Sequence, residues 1–254
     1  MGPGATTMLL ALLADLHANL EAVTACLDHA RANGADSYAF LGDLVGYGAD
    51  PEPVLELVRA HADRGAPVVL GNHDAAVAHA ATENMDPAAR TAAEWTRARL
   101  PPDQLAFLSR LPLTARIGNA LLVHASADAP AAWTYVTDAA AAARSLDAAG
   151  ATWVFCGHVH EPTLYFTGAG GRPMPFAPVP GVPIPVPAHR RWLAIVGSAG
   201  QPRDGNTAAC YALADLDAAR LTFHRVPYDW RTAAAKIRAA GLPARLADRL
   251  EHGV

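Results

Sequence analysis

The sequence predicts an α/β fold, and three observations carry that expectation. Short apolar runs alternate with stretches of helical spacing through the first half of the chain, a pattern that implies parallel strands joined by crossover helices. Apolar residues make up 52% and charged residues 17% of the 254, enough to bury a sizeable core. Beyond residue 162 strand-like runs follow one another with no helix between them, which predicts a second, more antiparallel sheet.

Residues 8–14 (MLLALLA) read as a short buried strand. The run is too short to span a membrane and lacks the basic flank of a signal peptide. Residues 1–7 are expected to be a flexible extension, and residues 8–254 one domain. Residues 19–32 have helical spacing, with Leu20, Val23, Cys26 and Leu27 on one side, and Asn19 is placed to cap them, with contact to substrate as the alternative. Strands are expected at 38–41 and 67–70, with a helix at 53–62 behind Pro51 and Pro53. Residues 86–111 read as helical and alanine-rich, 121–123 as a strand, 137–149 as a helix and 153–156 as a strand. The later strands are expected at 164–167, 192–196, 208–213 and 221–226. Residues 230–250 read as two short helices broken at 241–243. Seven prolines between Arg172 and Ala188 exclude a helix or central strand there, and the segment is expected to be an extended surface excursion.

A net charge of −4 provides no basic footprint for nucleic acid or anionic membrane. Cys26, Cys156 and Cys210 are scattered and odd in number, so no disulfide framework or cysteine-rich zinc site is expected, and a reducing, cytoplasmic setting fits best.

The chemistry lies where the polar residues fall. Each apolar strand runs into a cluster of metal-capable side chains: Asp15-Leu16-His17, Gly42-Asp43, Gly71-Asn72-His73-Asp74, His124, and Gly157-His158-Val159-His160. In an open α/β sheet, ligands bind beyond the carboxyl ends of the strands, so these clusters are expected to converge. Carboxylate, amide and imidazole donors without thiolate suit borderline and hard divalent metals. On an extended backbone the i, i+2 pairs Asp15/His17 and His158/His160 would each point to one side. Glycines 42, 71 and 157 would allow close backbone approach beside these residues. Of the remaining histidines, His29, His61, His79, His189, His224 and His252 are expected in surface or capping roles.

The set DLH, GDLVG, GNHD, a histidine after an apolar strand, and GHVH, in that order over residues 15–160, resembles the calcineurin-like metallophosphoesterase superfamily. The turn at residues 197–203 further resembles its small bacterial and archaeal phosphoesterases, although Ile195 and Val196 stand where that family often has asparagine. The resemblance implies a four-layer α/β/β/α sandwich of two mixed sheets flanked by helices. It also implies two divalent metal ions, with Mn²⁺ favoured and Fe, Zn, Ni or Mg as alternatives. Asp15, His17 and His160 would bind the first ion and Asn72, His124 and His158 the second. Asp43 would bridge them through its two oxygens. His73 would act as general acid or transition-state stabiliser, with Asp74 orienting its imidazole.

Arg203, in a glycine- and proline-rich turn, could bind a substrate phosphate oxygen; a solvated or ion-paired arginine is the alternative. The activity implied is hydrolysis of phosphomonoesters, with phosphodiesterase action on nucleotides or cyclic nucleotides as a rival. A non-catalytic scaffold on the same fold is a third reading. The expected partner is a small phosphorylated substrate, with no membrane association, and a homo-oligomer is compatible with all three readings.

Overall fold

Side-chain alternation along the first strand shows how the layers are built. In β1 (Leu9–Leu13), Leu10 and Leu12 face one apolar cluster and Ala11 and Leu13 another, all buried. A strand buried on both faces must lie inside a layered structure. The computed structural model describes residues 8–83, 85–168 and 170–254, and the extension expected at residues 1–7 lies outside them.

After β1 the elements are α1 (Leu20–Ala32), β2 (Ser37–Phe40), α2 (Pro51–Ala62), α3 (Asn72–His79), α4 (Pro87–Arg97), α5 (Pro102–Ser109), β3 (Thr114–Ile117), β4 (Ala120–Val123), α6 (Ala139–Ala149), β5 (Trp153–Cys156), β6 (Thr163–Thr167), β7 (Pro173–Phe176), β8 (Ile184–Pro185), β9 (Trp192–Ile195), β10 (Ala209–Asp215), β11 (Arg220–Val226), α7 (Trp230–Ala239) and α8 (Ala244–His252). One sheet has the order β2-β1-β10-β11-β8 and the other β3-β4-β5-β9-β6-β7. Both are mixed. β1 and β2 are parallel, as are β4, β5 and β9, and every other pair is antiparallel.

Three apolar clusters fill the spaces between layers. Ala11, Leu13 and Tyr211 pack under α1 and α2, meeting Val23, Cys26, Val54 and Val58. Between the sheets, Leu10, Leu12, Phe223 and Ala212 meet Phe155, Trp192, Leu122 and Leu164. Beyond the second sheet, Val154, Cys156, Leu193 and Ile195 meet Ala142 and Leu146 of α6. The result is the expected α/β/β/α arrangement. A leucine in the middle layer is worth about 1.5–3 kcal/mol of burial. A fourth cluster packs α7 and α8 against Ala88, Ala89 and Ala92 of α4 and against Tyr47.

The structure corrects several expectations. The strands after residue 162 do not form a sheet of their own: β10 pairs with β1 in one sheet, while β9 pairs with β5 in the other. Local pattern identifies strands, but partner choice is made by burial across the whole chain. Residues 67–70 make only an isolated parallel bridge, Phe40 to Val68, because Pro67 has no N–H to donate and Leu70 turns its own to the Pro112 carbonyl. Residues 86–111 split into α4 and α5 at Pro101-Pro102, and Asn72 starts an unforeseen helix, α3. The proline-rich excursion supplies an edge strand to each sheet, β7 and β8, positions where a missing N–H costs no ladder bond.

Candidate metal centre

The parallel strands bring their carboxyl ends to one rim. Asp15 and His17 follow β1, Asp43 follows β2, His124 follows β4, and His158 and His160 follow β5. Asn72 opens α3 at the same rim. The connecting turns are fastened to one another by main-chain hydrogen bonds: Asp15 N donates to Gly42 O at 3.0 Å, His17 N to Asp43 O at 2.9 Å and Gly200 N to Asp15 O at 2.9 Å.

These turns are not extended, and this is a second correction. Asp15 (φ 52°), His17 (47°), Asp43 (51°), His158 (69°) and His160 (68°) all sit in the left-handed region. Each such residue costs about 1–3 kcal/mol and persists because its surroundings enforce it. The i, i+2 pairs therefore do not share a side by strand alternation. Asp15 and His17 still converge on one group, but His158 and His160 diverge into two.

Asp15, His17, Asp43 and His160 place ligand atoms within 4.8 Å of one another, and Asp43, His124 and His158 form a second such group. All six residues are at most 5% exposed. Asp43 belongs to both groups, in a way the sequence did not indicate. Its Oδ1 accepts the His73 amide at 2.9 Å. Its Oδ2 lies 3.7 Å from His17 Nε2 and 3.4 Å from His124 Nε2. One oxygen, rather than two, faces both groups. Asp15 accepts the His158 amide at 2.9 Å and lies 3.4 Å from His160 Nε2. Asn72 Oδ1 is 3.1 Å from His124 Nε2.

The hydrogen-bonding pattern tests whether cations fit. His160 Nδ1 lies 2.6 Å from the Gln201 carbonyl, and His17 Nδ1 lies 3.3 Å from that of Val45. A carbonyl only accepts, so both Nδ1 atoms carry the proton. Their Nε2 lone pairs then face each other at 3.1 Å. His124 repeats the design, with Nδ1 donating to Leu41 O at 2.8 Å and Nε2 facing Asn72, Asp43 and His158 Nδ1. Lone pairs aimed at one another are repulsive, and a shared cation removes the repulsion. Separations of about 3.0–3.4 Å are also the edges of a coordination polyhedron whose metal–nitrogen bonds are about 2.1 Å. The residues present fit two divalent cations.

Electrostatics agree with this fit. Burial holds the His17 imidazole well below its ordinary value, and burial with the His124 charge takes His158 down to about 4. Both imidazoles are therefore neutral at pH 7, as metal ligation requires. At His124 burial opposes charge, but Asp43 and Asp15 prevail and raise it to about 9. A field that favours a proton on Nε2 also favours a divalent cation there. Asp43 stays ionised, because the neighbouring histidines outweigh its burial.

His73 sits beside these groups, its ring 5.0 Å from that of His17, and burial lowers it to about 4. Asp74 does not orient it, contrary to expectation. The Asp74 carboxylate accepts the amides of Leu44 (2.8 Å), Val45 (3.2 Å) and Gly71 (3.0 Å), clasping the Asp43 turn to the start of α3. Three convergent N–H donors occupy the Asp74 oxygens, and His73 Nδ1 is buried without a hydrogen-bond partner.

The glycine expectations hold. A Cβ on Gly71 would collide with the Asp43 amide and Oδ1, and one on Gly157 would lie 2.5 Å from Asp15 Oδ2. Asn19 caps α1 through the Ala22 amide, and its amide group also donates to Gly200 O at 2.8 Å.

Arg203 does reach the rim. Its guanidinium lies 5.7 Å from the Tyr47 ring centroid and donates to Gln201 Oε1 at 2.9 Å. No carboxylate pairs with it among the described residues. Sequence reasoning missed Tyr135, stacked on His158 at 3.9 Å, and Gln201 and Arg249, which meet Arg203. Tyr135 and Arg249 stand outside every motif. Gln201 acts on His160 through its main chain, which leaves no signature in residue identity.

Comparisons with known proteins converge on one family. A family model described as the calcineurin-like phosphoesterase superfamily domain matches residues 8–219. An uncharacterized protein of Methanocaldococcus jannaschii, MJ0912, is 30% identical over 96% of this chain and 98% of its own. The crystal structure of a metallophosphoesterase from Sphaerobacter thermophilus superposes with a TM-score of 0.87 at 36% identity, covering 98% of this chain and 100% of that one. The hypothetical protein PH1004 from Pyrococcus horikoshii OT3 shares the fold, with a TM-score of 0.78 at 20% identity over 97% of this chain and 99% of that one.

Proposed function

The chain belongs to the calcineurin-like phosphoesterase superfamily, and on that premise we propose that it hydrolyses phosphomonoesters with the help of two divalent cations. The observation that supports this most is the convergence of imidazole lone pairs and two buried carboxylates on two groups that share Asp43. Asp15, His17 and His160 would hold one ion, Asn72, His124 and His158 the other, and Asp43 would serve both. When bound, the ions supply Lewis-acid charge and a water acidic enough to attack at neutral pH. Mn²⁺ suits this mixed nitrogen and oxygen set, with Fe, Zn, Ni or Mg as substitutes.

The chain's own residues do the rest. His17, His124 and His160 are fixed in one tautomer by main-chain carbonyls, so their Nε2 atoms need no reorganisation. His73 Nδ1 packs against Gly46, where a Cβ would come within 2.6 Å, which leaves Nε2 to meet the leaving oxygen; because burial holds the free imidazole near 4, the charge of a bound phosphate has to raise it before Nε2 can donate a proton. Arg203 neutralises a phosphate oxygen, a role that favours the more highly charged monoester. The substrate is a small phosphorylated molecule. Three buried free thiols suit a reducing compartment such as the cytoplasm, and no helix among the described residues is long and apolar enough to cross a membrane.

The test compares p-nitrophenyl phosphate with bis-p-nitrophenyl phosphate on metal-stripped protein with Mn²⁺ added back. Metal-dependent cleavage faster on the monoester is expected. Faster cleavage of the diester, or turnover indifferent to stripping, overturns the reading.

A further inference from the structure

Arg249 of α8 is out of keeping with its neighbours. On the C-terminal helices Lys236 pairs with Glu21 and Asp50, Arg238 with Asp248 and Glu251, and Arg245 with Asp86. Arg249, half-buried, has no acid partner among the described residues, and of the other cations there only Arg231, which lies over the Trp230 ring, also lacks one. Its Nη1 donates at 3.4 Å to Gln201 Oε1, the same oxygen that accepts Arg203 Nη2 at 2.9 Å. Two guanidinium groups thus rest on one neutral oxygen beside the candidate metal centre. Gln201 is 1% exposed, and its own carbonyl holds His160 at 2.6 Å.

This arrangement is costly unless something anionic arrives. Two like charges in a partly buried place repel, and a carboxylate at position 201 would neutralise them. The amide there positions both cations without quenching either. Burial and the Arg203 charge both depress Arg249 below the ordinary arginine range. The two cations are also ordered. Arg203 lies 5.7 Å from the Tyr47 ring centroid, and that ring packs 4.5 Å from His17 and 4.4 Å from His73. Arg249 approaches from α8, and its hydrogen bond to the shared Gln201 Oε1 is the longer of the two, at 3.4 Å. Arg203 therefore serves the group next to the metals, and Arg249 serves whatever lies beyond it.

We propose that Arg249, with Arg203 on the shared Gln201 oxygen, forms an anion subsite, and that the substrate is a phosphomonoester bearing a second phosphate or carboxylate that Arg249 receives. This rests on the phosphoesterase reading for the scissile end, but the subsite itself can be tested by binding alone.

The probes are alkane-α,ω-bisphosphonates with three- and five-carbon spacers, each against the alkylphosphonate of the same length. Binding is measured by calorimetry on protein without added metal, and as inhibition of p-nitrophenyl phosphate hydrolysis with Mn²⁺. The wild type is expected to bind at least one bisphosphonate about tenfold more tightly than its monophosphonate, the scale of a charge-assisted hydrogen bond. Arg249→Gln should collapse that ratio to about the twofold statistical preference of two equivalent ends, and Arg249→Lys should restore most of it. A wild-type protein without preference at either spacer, or an Arg249→Gln ratio equal to that of wild type, overturns the subsite. Absence of p-nitrophenyl phosphate hydrolysis in the wild type would instead sink the phosphoesterase reading and leave the binding result to stand separately.

Discussion

The Nε2 atoms of His17 and His160 lie 3.1 Å apart across 143 residues of sequence, with the far nitrogen of each ring turned to a main-chain carbonyl. Two imidazoles locked in this tautomer present lone pairs to each other, and a cation between them resolves the conflict. Metal binding should therefore stabilise the fold, by an amount that grows with the logarithm of metal concentration over its dissociation constant. We expect Mn²⁺ to raise the melting temperature of metal-stripped protein and elemental analysis to find two ions per chain. Asp43→Asn should hold fewer than two and lose activity by about 10³-fold, the scale of several kcal/mol of Lewis-acid stabilisation. A variant retaining two ions and full activity would remove Asp43 from the shared position.

His73 makes a different prediction, because its imidazole sits beside the two groups without belonging to either. His73→Ala should keep its metal content while kcat falls about 10²–10⁴-fold, the range for a lost general acid. The loss should be larger for an alkyl phosphate than for p-nitrophenyl phosphate, whose leaving group needs little protonation. Equal losses on both would remove the proton-donor role and leave only electrostatic stabilisation.

Asp74 behaves as a structural clasp and should be read out as stability. Burial and the Asp43 charge raise this carboxyl to about 7, yet three amides converge on it. Asp74→Ala would leave those amides buried and unpartnered at roughly 1–3 kcal/mol each, lowered by whatever water enters. A clear drop in melting temperature is expected, together with weaker metal binding as the Asp43 turn loosens. An unchanged melting curve would contradict the clasp.

His224 gives a pH signature far from the metals. It stacks on Tyr211 with ring centroids 5.1 Å apart, and its Nε2 is buried without a partner. Burial, aided by His29, depresses it to about 4. The unfolded chain then binds the extra proton first, so stability is full above about pH 6.5 and declines as pH falls toward 4. Denaturant unfolding of His224→Gln should show a shallower decline over that window than wild type. Parallel curves would mean that the depression has no consequence for folding.

Much of this could be read from residue order. Strand-ending clusters at Asp15, Asp43, Asn72, His124 and His158 were legible because short apolar runs and metal-capable side chains leave local marks. Most strand and helix types around them were legible for the same reason, but the helix starting at Asn72 and the reduction of residues 67–70 to one bridge were not. What only the tertiary structure decided was relational. β10 pairs with β1 as well as with β11, and β9 pairs with β5, so the later strands are divided between two sheets, because strand partnership is set by burial across the whole chain. His158 and His160, two positions apart, enter different groups because both adopt left-handed backbone conformations that no residue preference announces. Asp74 turned to three amides instead of His73, and Arg249 came beside Arg203 from a distant helix, because hydrogen-bond partners are chosen by proximity after folding. Sequence names the donors a site can use; the folded backbone decides which of them face one another.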